Sequence, residues 1–311
     1  MKNPVKCLIV IAGPTAVGKS ALALHLAHLL DTEIISADSR QIYREMDIGT
    51  AKPNASELAK ITHHFVNELS IQDAFSASLF EEEGLKRLQS IFQTRDVAIL
   101  CGGTGLYINA LCKGLDQIPD VSIQIREHFD QKLAQEGIKV LQELLRNLDP
   151  EYAKVVDMAN PRRLIRALGV IETTGRPFSS YLQQVAHPRP FHCIYILLTE
   201  DRSTLYQRID QRVDSMIEQG LEKEVQRLLP YKDLQALQTV GYQEWFPYFA
   251  GIMDRAEAIR LIKRNSRRYA KRQLTWFRKH NEWQSFPAQD WSLVERYIRD
   301  QIKFLSESKK R

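Results

Sequence analysis

The sequence predicts an α/β protein, a parallel sheet flanked by helices, with an all-helical block inserted between two of the strands. Three observations carry this. Short runs apolar on both faces, at 6–12 (KCLIVIA), 32–36 (TEIIS), 96–101 (DVAILC) and 191–198 (FHCIYILL), are separated by longer stretches, helix-forming after the first run. Strands of a parallel sheet covered by helices on both sides have that character. A glycine-rich loop, GPTAVGKS at 13–20, lies between the first run and the helix former ALALHLAHLL at 21–30. From about 116 to 187 strand-like runs are missing, and 123–148 and 161–173 read as helices. Pro119, Pro150, Pro161 and the Gly175–Arg176–Pro177 turn punctuate that block. The expected domains are a core of 1–115 with 188–311 and an insertion of 116–187. The tail adds helices near 204–220, 222–229 and 255–279.

Composition narrows the class. The 311 residues are 44% hydrophobic and 26% charged, the balance of an ordinary folded protein. Lys and Arg exceed Asp and Glu by 43 to 38, and the excess is local. From Arg255 to Lys279 there are ten basic residues and one acid, Glu257. The four cysteines form no C-x-x-C pair, which argues against a zinc ribbon or disulfide framework. No apolar run approaches the ~20 residues of a membrane helix, and the apolar stretch 7–12 is too short for a signal peptide. A cytoplasmic protein with no membrane partner is expected, and a monomer.

The loop fits G-x-x-x-x-G-K-[ST] at every fixed position, after a buried strand and before a helix, so the core reads as P-loop NTPase-like. Gly13, Pro14, Thr15, Ala16, Val17, Gly18, Lys19 and Ser20 form a phosphate cradle. Backbone N–H groups and the helix N-terminus meet the anion, Lys19 adds a full charge, and Ser20 is placed to hold Mg²⁺. The strand at 97–101 ends in Gly102–Gly103–Thr104–Gly105 without the acid that a motor-type ATPase carries there. An acid instead follows the second strand, Asp38. At the carboxyl end of a parallel strand it lies in the ligand crevice, as a general base or as the cap of a following helix. Arg208 and Arg212 fall at i, i+4, a lid over phosphates or a solvated face paired with Asp210 and Asp214. On the basic segment, Ile259, Ile262, Ser266, Tyr269, Gln273 and Trp276 form one stripe, and the cations cover the rest. Like charges so crowded repel one another and suit a phosphate backbone.

With DSRQIYREMDIGTAKP at 38–53 beside the loop, the chain resembles the tRNA dimethylallyltransferases, or tRNA isopentenyltransferases, of bacterial type. The resemblance continues through GGTGLY at 102–107, RLIRAL at 163–168, TGRP at 174–177, VGY at 240–242 and KRQLTWFR at 271–278. It implies transfer of a dimethylallyl group from dimethylallyl diphosphate to N6 of the adenosine at tRNA position 37, beside the anticodon. It implies Mg²⁺ as cofactor, and Asp38, Thr104 and Arg212 as catalytic residues. It further implies contact with the tRNA anticodon stem-loop through four stretches. These are Asp38, Ser39, Arg40 and Gln41; Arg162, Arg163, Leu164, Ile165 and Arg166; Gln238, Thr239, Val240, Gly241, Tyr242 and Gln243; and Lys271, Arg272, Gln273, Leu274, Thr275, Trp276, Phe277 and Arg278. Trp276, Phe277 and Tyr242 are expected to supply stacking surface for loop bases. The competing readings are a small-molecule P-loop kinase, an adenylate isopentenyltransferase acting on free nucleotide, and a nucleotide-switched RNA-binding module. The basic helix argues against the first two, and the want of an N-K-x-D stretch against the third.

Overall fold

The computed structural model describes residues 5–182, 187–279 and 281–308. Its contacts divide the chain into two compact units, Met1–Lys113 with Pro188–Arg311, and Gly114–His187.

In the first unit, β1 (Cys7–Ala12), α1 (Lys19–Leu29), β2 (Ile34–Ala37), α2 (Ala55–Lys60), β3 (His63–His64), α3 (Ala77–Thr94), β4 (Val97–Gly102) and α4 (Gly105–Lys113) follow in order. The second unit holds α5 (Ile123–Glu136), α6 (Ile138–Leu148), α7 (Pro150–Val155) and α8 (Pro161–Thr174). The first unit then resumes with β5 (His192–Thr199), α9 (Arg202–Glu218), α10 (Leu221–Leu228), α11 (Trp245–Phe249), α12 (Arg255–Phe277), β6 (Gln284–Pro287) and α13 (Trp291–Ser308).

The sheet is six-stranded and parallel throughout, in the order β3-β2-β4-β1-β5-β6. Both faces are buried, which explains the unbroken apolar runs. Leu8, Val10 and Ala12 pack on one side with Leu100, Phe80 and Ile262; Ile9 and Ile11 pack on the other with Leu22, Leu26 and Val294. Register sets the site. Ala12 pairs with Gly102, and Gly102 with Ala37, so the loops leaving β1, β2 and β4 begin at one level. A Cβ at Gly102 would stand 2.2 Å from the Ala37 carbonyl oxygen, so the strands meet this closely only through glycine.

Sequence reading finds four of the six strands. β3 has two residues, too few for any periodicity. β6 buries only Phe286, so no alternation marks it. The expected single helix at 123–148 is two, broken at Gly137, whose φ of 78° belongs to the left-handed region. In the second unit Leu141, Leu145, Leu164, Ile165 and Leu168 form an apolar core. Asn160 caps α8 and Pro161 opens it.

Candidate active site

The phosphate loop turns from β1 into α1 with Ala16 at φ 64° and Gly18 at φ 106°. Gly18 occupies the N-cap and carries no capping side chain, so the first N–H groups of α1 stay available to an anion. Lys19 curls back over the loop and its Nζ donates to the Pro14 carbonyl at 2.8 Å. Burial lowers the Lys19 ammonium to about 8, and the Arg212 charge pushes the same way. An incoming anion reverses that penalty, so the lysine is poised for negative charge. Ser20, exposed on the first turn of α1, lines the same cavity as Lys19, Asp38 and Arg212.

Asp38 heads a turn and not a helix, so it caps nothing helical. Its Oδ1 accepts the N–H groups of Arg40 (2.9 Å) and Gln41 (3.3 Å). Its Oδ2 has no partner among the described residues. One oxygen fixes the carboxylate and the other is left for a proton. Thr104 does not cap α4 with its side chain. Its Oγ1 accepts the Ser39 N–H at 3.2 Å, close to the Tyr269 phenol. Burial and the nearby Asp38 carboxylate push that phenol up to about 12, so it stays a neutral donor.

Two cavities meet here. One runs over the phosphate loop, along Lys19, Ser20, Gly102, Gly103, Ser36 and His63. The other runs between α9, α12 and the 239–242 stretch, along Ser39, Arg40, Met216, Val240, Tyr242 and Ile262. Thr15, Asp38, Arg212 and Tyr269 line both. Arg212 makes no ion pair among the described residues, and burial lowers its pKa. Arg208 points to a different partner, Glu200, at 2.9 Å. A free carboxylate oxygen, a free guanidinium and a phosphate cradle thus surround one junction, which is the inventory for moving a group off a phosphate onto an acceptor that sheds a proton.

The structure brings some predicted contact residues to the cavities and sends others into the core. Ser39, Arg40, Thr239, Val240 and Gly241 line the second cavity, and the Arg40 Nε is buried without a partner. Tyr242 lines it too but is wholly buried, with its hydroxyl donating to Glu224 at 2.6 Å, so it cannot stack on an RNA base. Phe277 is likewise wholly buried, and Leu274 packs with the core of the α1 side. Trp276 is half-buried and lies over Gly105, where a Cβ would come within 2.5 Å of the indole. Of the aromatic side chains expected to stack on RNA, Tyr242 and Phe277 are thus core, while Ile262, Ser266, Tyr269 and Gln273 of the α12 stripe line the two cavities. Leu164 and Ile165 are core of the second unit, leaving Arg162 and Arg163 exposed and Arg166 partly so. Gln41 spends its amide internally, donating to the Thr50 and Ala51 carbonyls and accepting from Ser36. Gln238 donates to the Lys232 carbonyl, and Gln243 is exposed. Lys271, Arg272, Thr275 and Arg278 are exposed on α12.

The basic helix carries less free charge than its composition suggests. Lys263 pairs with Asp214 at 2.6 Å and Arg267 with Asp210, both acids being supplied by α9. Two further residues were not legible. Glu224 on α10 is buried and accepts from the N–H groups of Asp47, Ile48 and Gly49 as well as from Tyr242. Glu244, also buried, accepts from the Gly241 N–H and from Asn265. A lone Glu, whether inside a helix like Glu224 or in the turn before one like Glu244, carries no mark of such a role.

Fold and site together define a phosphate-loop enzyme of the transferase kind. A family model for IPP transferase matches residues 41–280. The chain is 49% identical over 297 residues to the tRNA dimethylallyltransferase of Christiangramia forsetii, covering 95% of this chain and 98% of that protein. It superposes along its full length, and that of its counterpart, on the full-length tRNA isopentenylpyrophosphate transferase of Bacillus halodurans, with TM-score 0.74 and 34% identity. A eukaryotic dimethylallyltransferase acting on tRNA matches with TM-score 0.80 and 26% identity, covering 97% of this chain and 80% of that one. The chain belongs to the IPP transferase family.

Proposed function

We propose that the protein transfers a dimethylallyl group from dimethylallyl diphosphate to N6 of adenosine 37 in tRNA. The observation that carries this is the junction of the two cavities at Asp38, Thr15, Arg212 and Tyr269. The diphosphate lies at the phosphate-loop end, on the open N–H groups of α1, Lys19 and Arg212. The adenosine enters by the second cavity, because Ser39, Arg40 and the 239–241 stretch line it. The target base must leave its stack to get there, at a cost of a few kcal/mol. The N6 lone pair attacks C1 of the dimethylallyl group, the C1–O bond breaks, and its electrons leave with the diphosphate. Asp38 Oδ2 takes the N6 proton. The charge growing on the leaving oxygen meets donors already fixed in place, the arrangement that stabilises a transition state more than a ground state.

Mg²⁺ fits this site through the Ser20 hydroxyl. Among the described residues no cluster of three His, Cys, Asp or Glu side chains could hold an ion, so Ser20 is the protein group that would hold it, with the diphosphate oxygens and water completing its shell. It would supply neutralising charge to the diphosphate. The exposed cations of α12 hold the anticodon arm, the exposed Arg162 and Arg163 of the second unit are a separate candidate RNA surface, and a monomer suffices. Among the described residues no helix is long and apolar enough to cross a membrane.

Incubation with labelled dimethylallyl diphosphate and bulk tRNA tests the reading. Label is expected in N6-(dimethylallyl)adenosine after nuclease digestion. Label transferred only to free AMP, or phosphate transferred from ATP, sinks it.

A further inference from the structure

Gln273 is the polar residue of the α12 stripe whose place the proposed reaction leaves unexplained. It is 6% exposed, and both ends of its amide are engaged. Oε1 accepts the Thr15 N–H at 2.8 Å, and Nε2 donates to the Gly103 carbonyl at 3.0 Å. Those two backbone groups belong to the two glycine turns that floor the first cavity, the phosphate loop and the turn after β4. The fit leaves no slack, since a Cβ at Gly103 would stand 2.2 Å from Nε2. Thr15 lies in the loop at the junction of the cavities, and its N–H is turned toward the helix instead of toward the anion. The side chain therefore cannot read an RNA base from where it sits.

We propose that Gln273 is a positioning residue for the diphosphate. Its amide locks the phosphate loop against the Gly102–Gly105 turn, and so holds the neighbouring N–H donors and Lys19 where the leaving group needs them. The same helix carries exposed Lys271 and Arg272, so the element that receives the RNA also sets the geometry of the donor site. This rests on the transfer reaction proposed above and adds a residue to it. Donors held a fraction of an ångström out of place cost rate as well as binding, with ~10²-fold losses for a 1 Å error.

The test compares two variants with the wild-type protein. Gln273→Met keeps length and apolar bulk and removes both hydrogen bonds. It is expected to raise KM for dimethylallyl diphosphate about 10-fold and lower kcat about 10-fold. The Kd for an anticodon stem-loop, measured without donor, is expected to stay within about twofold. Gln273→Glu supplies the sharper readout. Ionised, the introduced carboxylate repels the diphosphate and cannot donate to Gly103; protonated, it copies the amide's donor and acceptor pattern. Its donor KM, divided by the wild-type value at each pH, is therefore expected to fall as pH is lowered from 8 to 6. A residue needed only for packing gives no such trend. Unchanged donor KM with weakened stem-loop binding overturns the proposal in favour of base contact. A pH-independent ratio overturns it in favour of packing alone. Wild-type protein without transfer activity fails the parent reading instead, so the two failures are distinct.

Discussion

The cavity over the phosphate loop takes its floor and one wall from the ends of three adjacent parallel strands. The cavity beside it takes its walls from helices α9 and α12 and from two stretches, at 49–50 and 239–242, that follow no strand directly. In the first, Ala12, Ala37 and Gly102 share a level in the sheet, so the polar groups beyond them converge by register alone. In the second, the 47–50 turn and the 239–242 stretch are far apart in sequence and are held by two buried carboxylates, Glu224 and Glu244. A site for an invariant anion can be built from backbone on a rigid sheet. A site for a base at the tip of an RNA loop needs walls from several elements, and each must be pinned by a specific side chain.

The largest effect belongs to the point where the two meet. Asp38→Asn keeps the Oδ1 acceptor for Arg40 and Gln41 but removes the proton acceptor. We expect kcat to fall by ~10²–10⁴-fold while KM for the donor and for tRNA change little. Steady-state kinetics with saturating tRNA check this. A variant that turns over normally but binds tRNA poorly would move Asp38 from chemistry to adenine positioning.

Breaking the second cavity should leave the first intact. Glu224→Ala strips the partners from three backbone N–H groups and the Tyr242 hydroxyl, and a buried network of this kind costs about 3–5 kcal/mol to break. A lower denaturation midpoint is expected. Below that midpoint, KM for tRNA should rise and KM for dimethylallyl diphosphate should not, because the first cavity does not include 47–50 or 239–242. If both rise together, the cavities are one mechanical unit and the contrast drawn above is wrong.

A smaller effect probes the first cavity by pH. The Lys19 ammonium, lowered to about 8 by burial, is charged below that pH and neutral above it. The diphosphate needs the charge, so kcat/KM for the donor should decline about tenfold per pH unit once pH passes 8, since kcat/KM reports the free enzyme. Lys19→Ala should lose most of the donor kcat/KM at pH 7 and flatten that limb. A limb that persists in the variant assigns the titration to another group.

These contrasts also explain what could be read in advance. The phosphate loop, Asp38 and the Gly102–Gly105 turn were legible because each motif is contiguous and follows a strand with both faces apolar. Tyr242 and Phe277 were misread because aromatic side chains in a basic neighbourhood look alike whether they face RNA or the sheet. Burial decides between those, and burial is a tertiary fact. Asp210 and Asp214 lie about fifty residues from the cations they neutralise, so the helix looked more uniformly positive than it is. β3 is too short to carry a pattern and β6 buries only Phe286, so the sheet supplies their strand character.

The smallest effect per residue lies on that helix, and the pairing by α9 makes it specific. Of the cations on α12, Arg268, Lys271 and Arg272 are exposed and unpaired among the described residues, while Lys263 and Arg267 already hold acids. An unpaired surface cation can release a counterion from the RNA when it meets a phosphate. A paired one must first give up its own carboxylate and gains little. Each single-strand phosphate contact contributes about 0.7 to the slope of log affinity against log salt. Replacing Arg268, Lys271 and Arg272 together by alanine should therefore flatten the slope for stem-loop binding by about 2. It should also raise KM for tRNA and leave KM for dimethylallyl diphosphate nearly unchanged. Replacing Lys263 and Arg267 should move the slope by less than about 0.5 on the same arithmetic, since both are neutralised before the RNA arrives. Titrations at several salt concentrations separate the outcomes. Equal slopes for the triple variant and the wild type would take the RNA off this face of α12 and leave Arg162 and Arg163 of the helical unit to carry it. A large loss from the paired set would mean that α9 releases its acids when RNA binds.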